Sequence, residues 1–171
     1  MKQPLFFEED TLPESLAEWI YYPGSFMLRL KQHGILASVQ LLRQQWSLPT
    51  GDEGEVLDLP RRSYVLVREV LISSDHQDWM YARTVFPAKT LTGKEKQLAH
   101  LKNRSLGSIL FKEPRLHRSE FSIFSLDQYH AMYQHLLKQV VFEAERVWAR
   151  RSLFTIKRKS LLLTEVFLSA L

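Results

Sequence analysis

Tyr64–Ser73, YVLVREVLIS, followed at once by Trp79–Phe86, WMYARTVF, decides how this chain folds. The first run holds four β-branched residues and little that is polar, the pattern of a strand covered on both faces. Asp75–Asp78 is a polar turn and Pro87 ends the second run, so the pair reads as an antiparallel hairpin. Residues two apart in a strand share a face. Arg68 therefore sits among Tyr64, Leu66, Val70 and Ile72, and Glu69 among Val65, Val67 and Leu71. In the returning strand Arg83 lies with Tyr81 and Val85. A buried charge without a partner costs several kcal/mol, so each of these groups needs an answer elsewhere in the chain.

The C-terminal end supplies a second hairpin. Trp148–Ile156 and Leu161–Leu168 read as strands around the basic turn Lys157–Ser160. The last strand, LLLTEVFL, carries one carboxylate, Glu165, beside Leu161, Leu163 and Phe167. Two answers fit these charges. Arg68 and Glu165, and likewise Glu69 and Arg83, can form internal ion pairs. Alternatively Arg68 and Glu165 line a closed pocket for a small polar anion. Arginine then forks onto a carboxylate, and the glutamate accepts a hydrogen bond from a hydroxyl.

Helical signals surround the hairpins. Thr11-Leu12-Pro13-Glu14 is a capping box that predicts a helix to about Ile20. Tyr22-Pro23-Gly24 is a turn, and Ser25 caps a second helix that Gly34 ends. Ile35–Leu42 reads as a strand, 47–62 as a surface loop, and 90–101 and 105–111 as helical. Glu120–Phe124 is a weak strand. A second capping box at Ser125-Leu126-Asp127-Gln128 opens an amphipathic helix over 128–146. The whole is an α+β fold in a single domain spanning 1–171.

Composition narrows the function. The chain of 171 residues has no cysteine, a net charge of +4 and a sequence pI of about 9.4. No apolar run approaches the ~20 residues of a membrane helix, and the N-terminus lacks a signal peptide's apolar core; a soluble, cytoplasmic protein is expected. His130 and His135 are five apart, which does not put them on one helix face, so no metal site is expected. There is no nucleophile elbow and no glycine-rich phosphate loop. Arg146, Arg150, Arg151, Lys157, Arg158 and Lys159 alternate in face along a strand and turn, and read as a solvated rim rather than a nucleic-acid stripe.

Four segments carry a family resemblance. YVLVREVLISSDHQDWMYARTVFP, TLTGKEKQLAHLKNRSLGSILF, VWARRSLFTIKRKSLLLTEVFL and GSFMLRLKQHG, by their order and spacing rather than by any single motif, resemble chorismate lyases over roughly residues 10–168. The resemblance implies conversion of chorismate to 4-hydroxybenzoate and pyruvate, the first step of ubiquinone biosynthesis, with no metal or organic cofactor. It implies a six-stranded antiparallel sheet, with flap-like helix-turn elements covering an internal ligand cavity. It places the ring-carboxylate arginine on Arg68 and the hydroxyl-binding glutamate, a positioning group or a base, on Glu165. Backbone contacts fall on Leu106, followed by Gly107, and on Phe26. Arg83 matches a second arginine near the site, suited to the enolpyruvyl carboxylate. The implied partners are chorismate and 4-hydroxybenzoate alone, with no nucleic acid, no stable membrane insertion and a monomeric state. The helix at 128–146 is an addition to the family pattern. The rival expectation is a non-catalytic binding domain for an aromatic acid on the same fold, as in transcription-factor effector domains.

Overall fold

The computed structural model describes residues 12–75 and 77–169. Its strands are β1 Ser38–Ser47, β2 Val65–Ser74, β3 Gln77–Pro87, β4 Leu116–Arg118, β5 Ser122–Asp127, β6 Arg146–Ile156 and β7 Lys159–Phe167. Its helices are α1 Glu14–Ile20, α2 Phe26–Gln32, α3 Glu53–Val56, α4 Gly107–Leu110 and α5 Ala131–Leu137. Short 3-10 turns occupy Ala88–Thr90 and Gly93–His100.

One antiparallel sheet runs β1-β2-β3-β7-β6-β4, with β5 also paired to β6. Seven strands thus fill six positions. The eleven-residue β6 takes β5 along Arg146–Arg151 and β4 along Phe154–Ile156. Both expected hairpins are present, β2 with β3 and β6 with β7. The β6–β7 loop is two residues long, and Lys157 and Arg158 both have positive φ, 48° and 69°. That is the primed turn whose twist matches a hairpin, here made without glycine.

Both faces of the sheet are covered. On one face α1 and α2 bring Leu16, Trp19, Ile20, Phe26 and Leu30 onto Val70, Ile72, Met80, Trp148 and Phe167. Beside them Leu98, Leu101, Leu106 and Leu110 pack on Leu66, Phe86, Phe154 and Leu161. On the opposite face Tyr133, Leu136 and Val140 cover Leu71, Tyr81, Ala149 and Val166, and Leu57 covers Val65, Val67, Val85 and Leu162. Among the described residues no helix is long and apolar enough to cross a membrane.

Several boundaries differ from the sequence reading. Thr11 lies outside the described residues, and α1 starts after Pro13 with no side-chain cap bond. Ile35 belongs to the end of α2: its N–H reaches Leu30 O over Gly34, whose φ is 76°. This closing motif consumes the residues expected to open β1, which starts at Ser38. The stretch 47–62 contains α3 and the buried Glu53. The 128–146 helix shrinks to the seven residues of α5. Ser125 and Asp127, expected to cap it, pair instead with Trp148 and Arg146 as strand residues. The cap is His130, whose Nδ1 accepts from Met132 N–H.

Candidate active site

The gap between the two hydrophobic clusters on the α1–α2 face is a small cavity. Its floor is the sheet. Arg68 on β2 pairs with Thr84 on β3, which pairs with Leu163 on β7. One step along, Val70, Ala82 and Glu165 stand in the same register. Arg68 and Glu165 are thus two strands apart and two residues apart along the strands. Strand spacing and rise then put their Cα atoms on the order of 12 Å from each other. Both side chains stand on the cavity side of the sheet.

Two lids form the roof. The first is the turn between α1 and α2, with Gly24, Ser25 and Phe26 lining the cavity. The second is 105–111, with Ser105, Leu106, Gly107, Leu110 and Phe111. They meet at Gly107, where an added Cβ would lie 2.9 Å from Ser25 Oγ. Glycine is required there by close approach rather than by backbone angle. The amides that open α2 and α4 have no intrahelical acceptor.

The floor charges do not neutralise each other. Arg68 is 1% exposed. Its Nη2 donates to the carbonyls of Lys102, at 3.0 Å, and Arg104, at 2.7 Å, in the second lid. Its Nε has no partner, and no carboxylate pairs with it among the described residues. Burial alone pushes its guanidinium down to about 10. An uncompensated buried cation facing a cavity is an anion receptor.

Glu165 is held from the other side. Arg150 grips both its oxygens, Nε to Oε2 at 2.6 Å and Nη2 to Oε1 at 3.1 Å. Arg118 Nη2 donates to Oε2 at 3.2 Å. Arg150 is fully buried. Its Nη1 also donates to the carbonyls of Trp19, Ile20 and Tyr22 at the end of α1. Arg118 Nη1 donates to Pro23 O in the first lid. Each end of the cavity floor is thereby tied to one lid.

Of the residues singled out in the sequence, Phe26, Arg68, Leu106, Gly107 and Glu165 converge on this cavity. Arg83 does not. It lies on the opposite face, in register with Glu69 and Thr164. There it donates to Glu53 Oε1 and Glu69 Oε1, each at 2.7 Å. Strand alternation is the reason: Thr84, not Arg83, shares the face of Arg68. The expected Glu69–Arg83 pair exists, whereas an Arg68–Glu165 pair does not.

The sequence reading misses two arginines of this site: Arg118, which lines the cavity, and Arg150, buried beneath Glu165. Arg150 reads as part of the basic rim, yet strand alternation puts it in the row of Trp148 and Phe154. Arg118 lies in a three-residue strand, too short to give a periodic signal.

The other face carries a separate buried network. Glu69 Oε1 also meets His135 Nε2 of α5 at 2.7 Å. Burial pushes the Arg83 guanidinium down, but hydrogen bonding and charge from Glu53 reverse that and hold it above its usual value. The Tyr81 hydroxyl is pushed up by burial and by the nearby Glu69 charge.

Comparison with known proteins shows the family and the fold. The chain is 37% identical over 156 residues to a "Probable chorismate pyruvate-lyase" of Methylococcus capsulatus, covering 91% of this chain and 95% of the relative. It is 33% identical over 159 residues to one of Nitrosomonas eutropha, covering 93% and 89%. Among solved structures, the PhnF C-terminal domain superposes with a TM-score of 0.61 at 15% identity, covering 83% of this chain and 89% of that one. A GntR-family transcriptional regulator from Enterococcus faecalis superposes at 0.55 with 11% identity, covering 79% and 92%. These two likenesses concern the fold. The family model described as chorismate lyase matches residues 7–171, and with relatives of this identity and coverage the chain belongs to the chorismate lyase family.

Proposed function

We propose that this protein converts chorismate to 4-hydroxybenzoate and pyruvate, with Arg68 and Glu165 as its principal binding groups. The observation that carries the reading is the buried Arg68, without a carboxylate partner, lining the same cavity as an arginine-held Glu165. Arg68, with the backbone N–H of Leu106, holds the ring carboxylate. Glu165 accepts a hydrogen bond from the hydroxyl on the opposite side of the ring, and Phe26 and Gly107 close the lids over it.

The chemistry asks little of the protein beyond placement. The bond between ring C3 and the ether oxygen breaks, and C4 loses its hydrogen. Delivered to the methylene of the leaving group, that hydrogen yields pyruvate directly, and the ring becomes aromatic. Atoms and electrons balance without a cofactor. Rate acceleration then comes from fixed dipoles and a dry cavity that holds the side chain over C4. With its oxygens already bound by two guanidinium groups, Glu165 orients the hydroxyl. The protein acts as a cytoplasmic monomer supplying the aromatic acid to ubiquinone biosynthesis.

The fold likeness to transcriptional regulators gives the rival reading, a sensor that binds an aromatic acid without turnover. Incubation of purified protein with chorismate separates the two. Release of 4-hydroxybenzoate and pyruvate in equal amounts supports the lyase. A raised melting temperature with 4-hydroxybenzoate but no product supports the sensor.

A further inference from the structure

We propose that Arg118 receives the side-chain carboxylate of chorismate and so distinguishes the dianionic substrate from the monoanionic product. This rests on the lyase reading and fills the role that Arg83 cannot, since Arg83 lies across the sheet and is bound by Glu53 and Glu69.

The position follows from the substrate. Its enolpyruvyl group is attached next to the hydroxyl-bearing carbon, and that hydroxyl belongs to Glu165. The second carboxylate therefore falls at the Glu165 end of the cavity, away from Arg68. Two cations stand there, Arg118 and Arg150. Arg150 is sealed beneath Glu165 and spends its guanidinium on that carboxylate and three carbonyls. Arg118 lines the cavity itself.

The Arg118 guanidinium is also ready for an anion. Nε donates to Ser152 Oγ at 2.9 Å, Nη1 to Pro23 O and Nη2 to Glu165. Each terminal nitrogen carries a further N–H beyond these bonds. The rings of Phe121 and Phe154 hold the group from centroid distances of 4.4 and 4.8 Å. Burial, opposed by the Glu165 charge and reinforced by Arg150, pushes it down to about 10.

The charge count agrees. Three arginines, 68, 118 and 150, against one glutamate, 165, leave a surplus of 3 − 1 = +2 around the cavity. Chorismate carries two negative charges. Once pyruvate departs, 4-hydroxybenzoate answers only one of the two, at Arg68.

The test compares Arg118→Gln and Arg118→Lys with the unaltered protein, measuring chorismate turnover and 4-hydroxybenzoate binding by calorimetry. The loss of a charge-assisted contact should raise KM for chorismate about 10- to 100-fold in R118Q. The contact exists before and during reaction, so kcat should fall far less. Product affinity should stay nearly unchanged, and R118K should recover part of KM. An Arg68→Gln control should weaken both ligands. If R118Q does not fold, R118K serves alone, with a raised KM at unchanged product affinity expected. Parallel loss of substrate and product affinity, or an unchanged KM, overturns the assignment of Arg118. Absence of turnover in the unaltered protein overturns the lyase reading itself.

Discussion

Arg68 and Glu165 differ in what they cost when removed. Arg68 has no carboxylate partner, so Arg68→Met relieves a desolvated charge while losing two carbonyl contacts. Its stability should change by no more than about 1 kcal/mol, yet 4-hydroxybenzoate affinity should drop about 10- to 100-fold. Glu165→Ala instead strands Arg150 and Arg118, and breaking such a buried pair costs about 3–5 kcal/mol. Its melting temperature should fall on the order of 10 °C. Calorimetric melting with and without ligand checks both. A large melting loss in R68M would show that Arg68 is structural. Both residues were legible because each interrupts an apolar strand, where an unmatched charge stands out. Arg118 was not, because its partners, Pro23, Ser152 and Glu165, come from distant segments.

At the scale of elements, the lids depend on how closely two turns approach. Gly107→Ala sets a methyl 2.9 Å from Ser25 Oγ, so the lids must part. A reduced kcat/KM with little change in melting temperature is expected. An unaltered kcat/KM would mean that lid contact does not matter to turnover.

The short helix α3 does comparable work on the opposite face by delivering Glu53 to Arg83. Burial pushes the Glu53 carboxyl up, but Arg83 and the Thr50 backbone outweigh it, and the net value lies below the ordinary 4.5. A depressed carboxylate stabilises the fold fully above its unfolded value and ceases to do so as pH falls through the folded one. The melting-temperature gap between the unaltered protein and Glu53→Gln should therefore be widest near neutral pH and narrow only as pH falls below the ordinary 4.5. A gap that does not narrow on acidification would contradict the ion-pair role. Local patterns failed for such elements where tertiary pairing took over. The 125–128 capping box became the end of β5 because β6 offered it a ladder. The acidic, proline-containing loop hid a buried carboxylate because its partner lies 30 positions away.

The β6–β7 turn offers a further check. Arg158 adopts a φ of 69°, which costs a non-glycine residue roughly 1 kcal/mol. Arg158→Gly should raise the melting temperature by about 2–4 °C, read by calorimetry. No rise would mean that unfolded-chain entropy cancels the gain.

For the whole molecule, one sheet carries two unlike buried polar systems, divided by strand alternation. On one face Arg83 is gripped by two carboxylates, Glu53 and Glu69. On the other, the arginines outnumber the glutamate and the excess surrounds a cavity. The antiparallel architecture was legible from two hairpins. Which charges share a face follows from period two alone, and that period puts Arg83 across the sheet from Arg68, against the expectation from the family resemblance.

The most direct measurement is the structure of the protein with 4-hydroxybenzoate bound. The ligand should lie in the cavity on the α1–α2 face, its carboxylate on the Arg68 guanidinium and the Leu106 N–H, its hydroxyl on Glu165. A ligand found on the opposite face of the sheet beside Arg83 and His135, or seated with its carboxylate against Arg118 and its hydroxyl toward Arg68, would contradict the account.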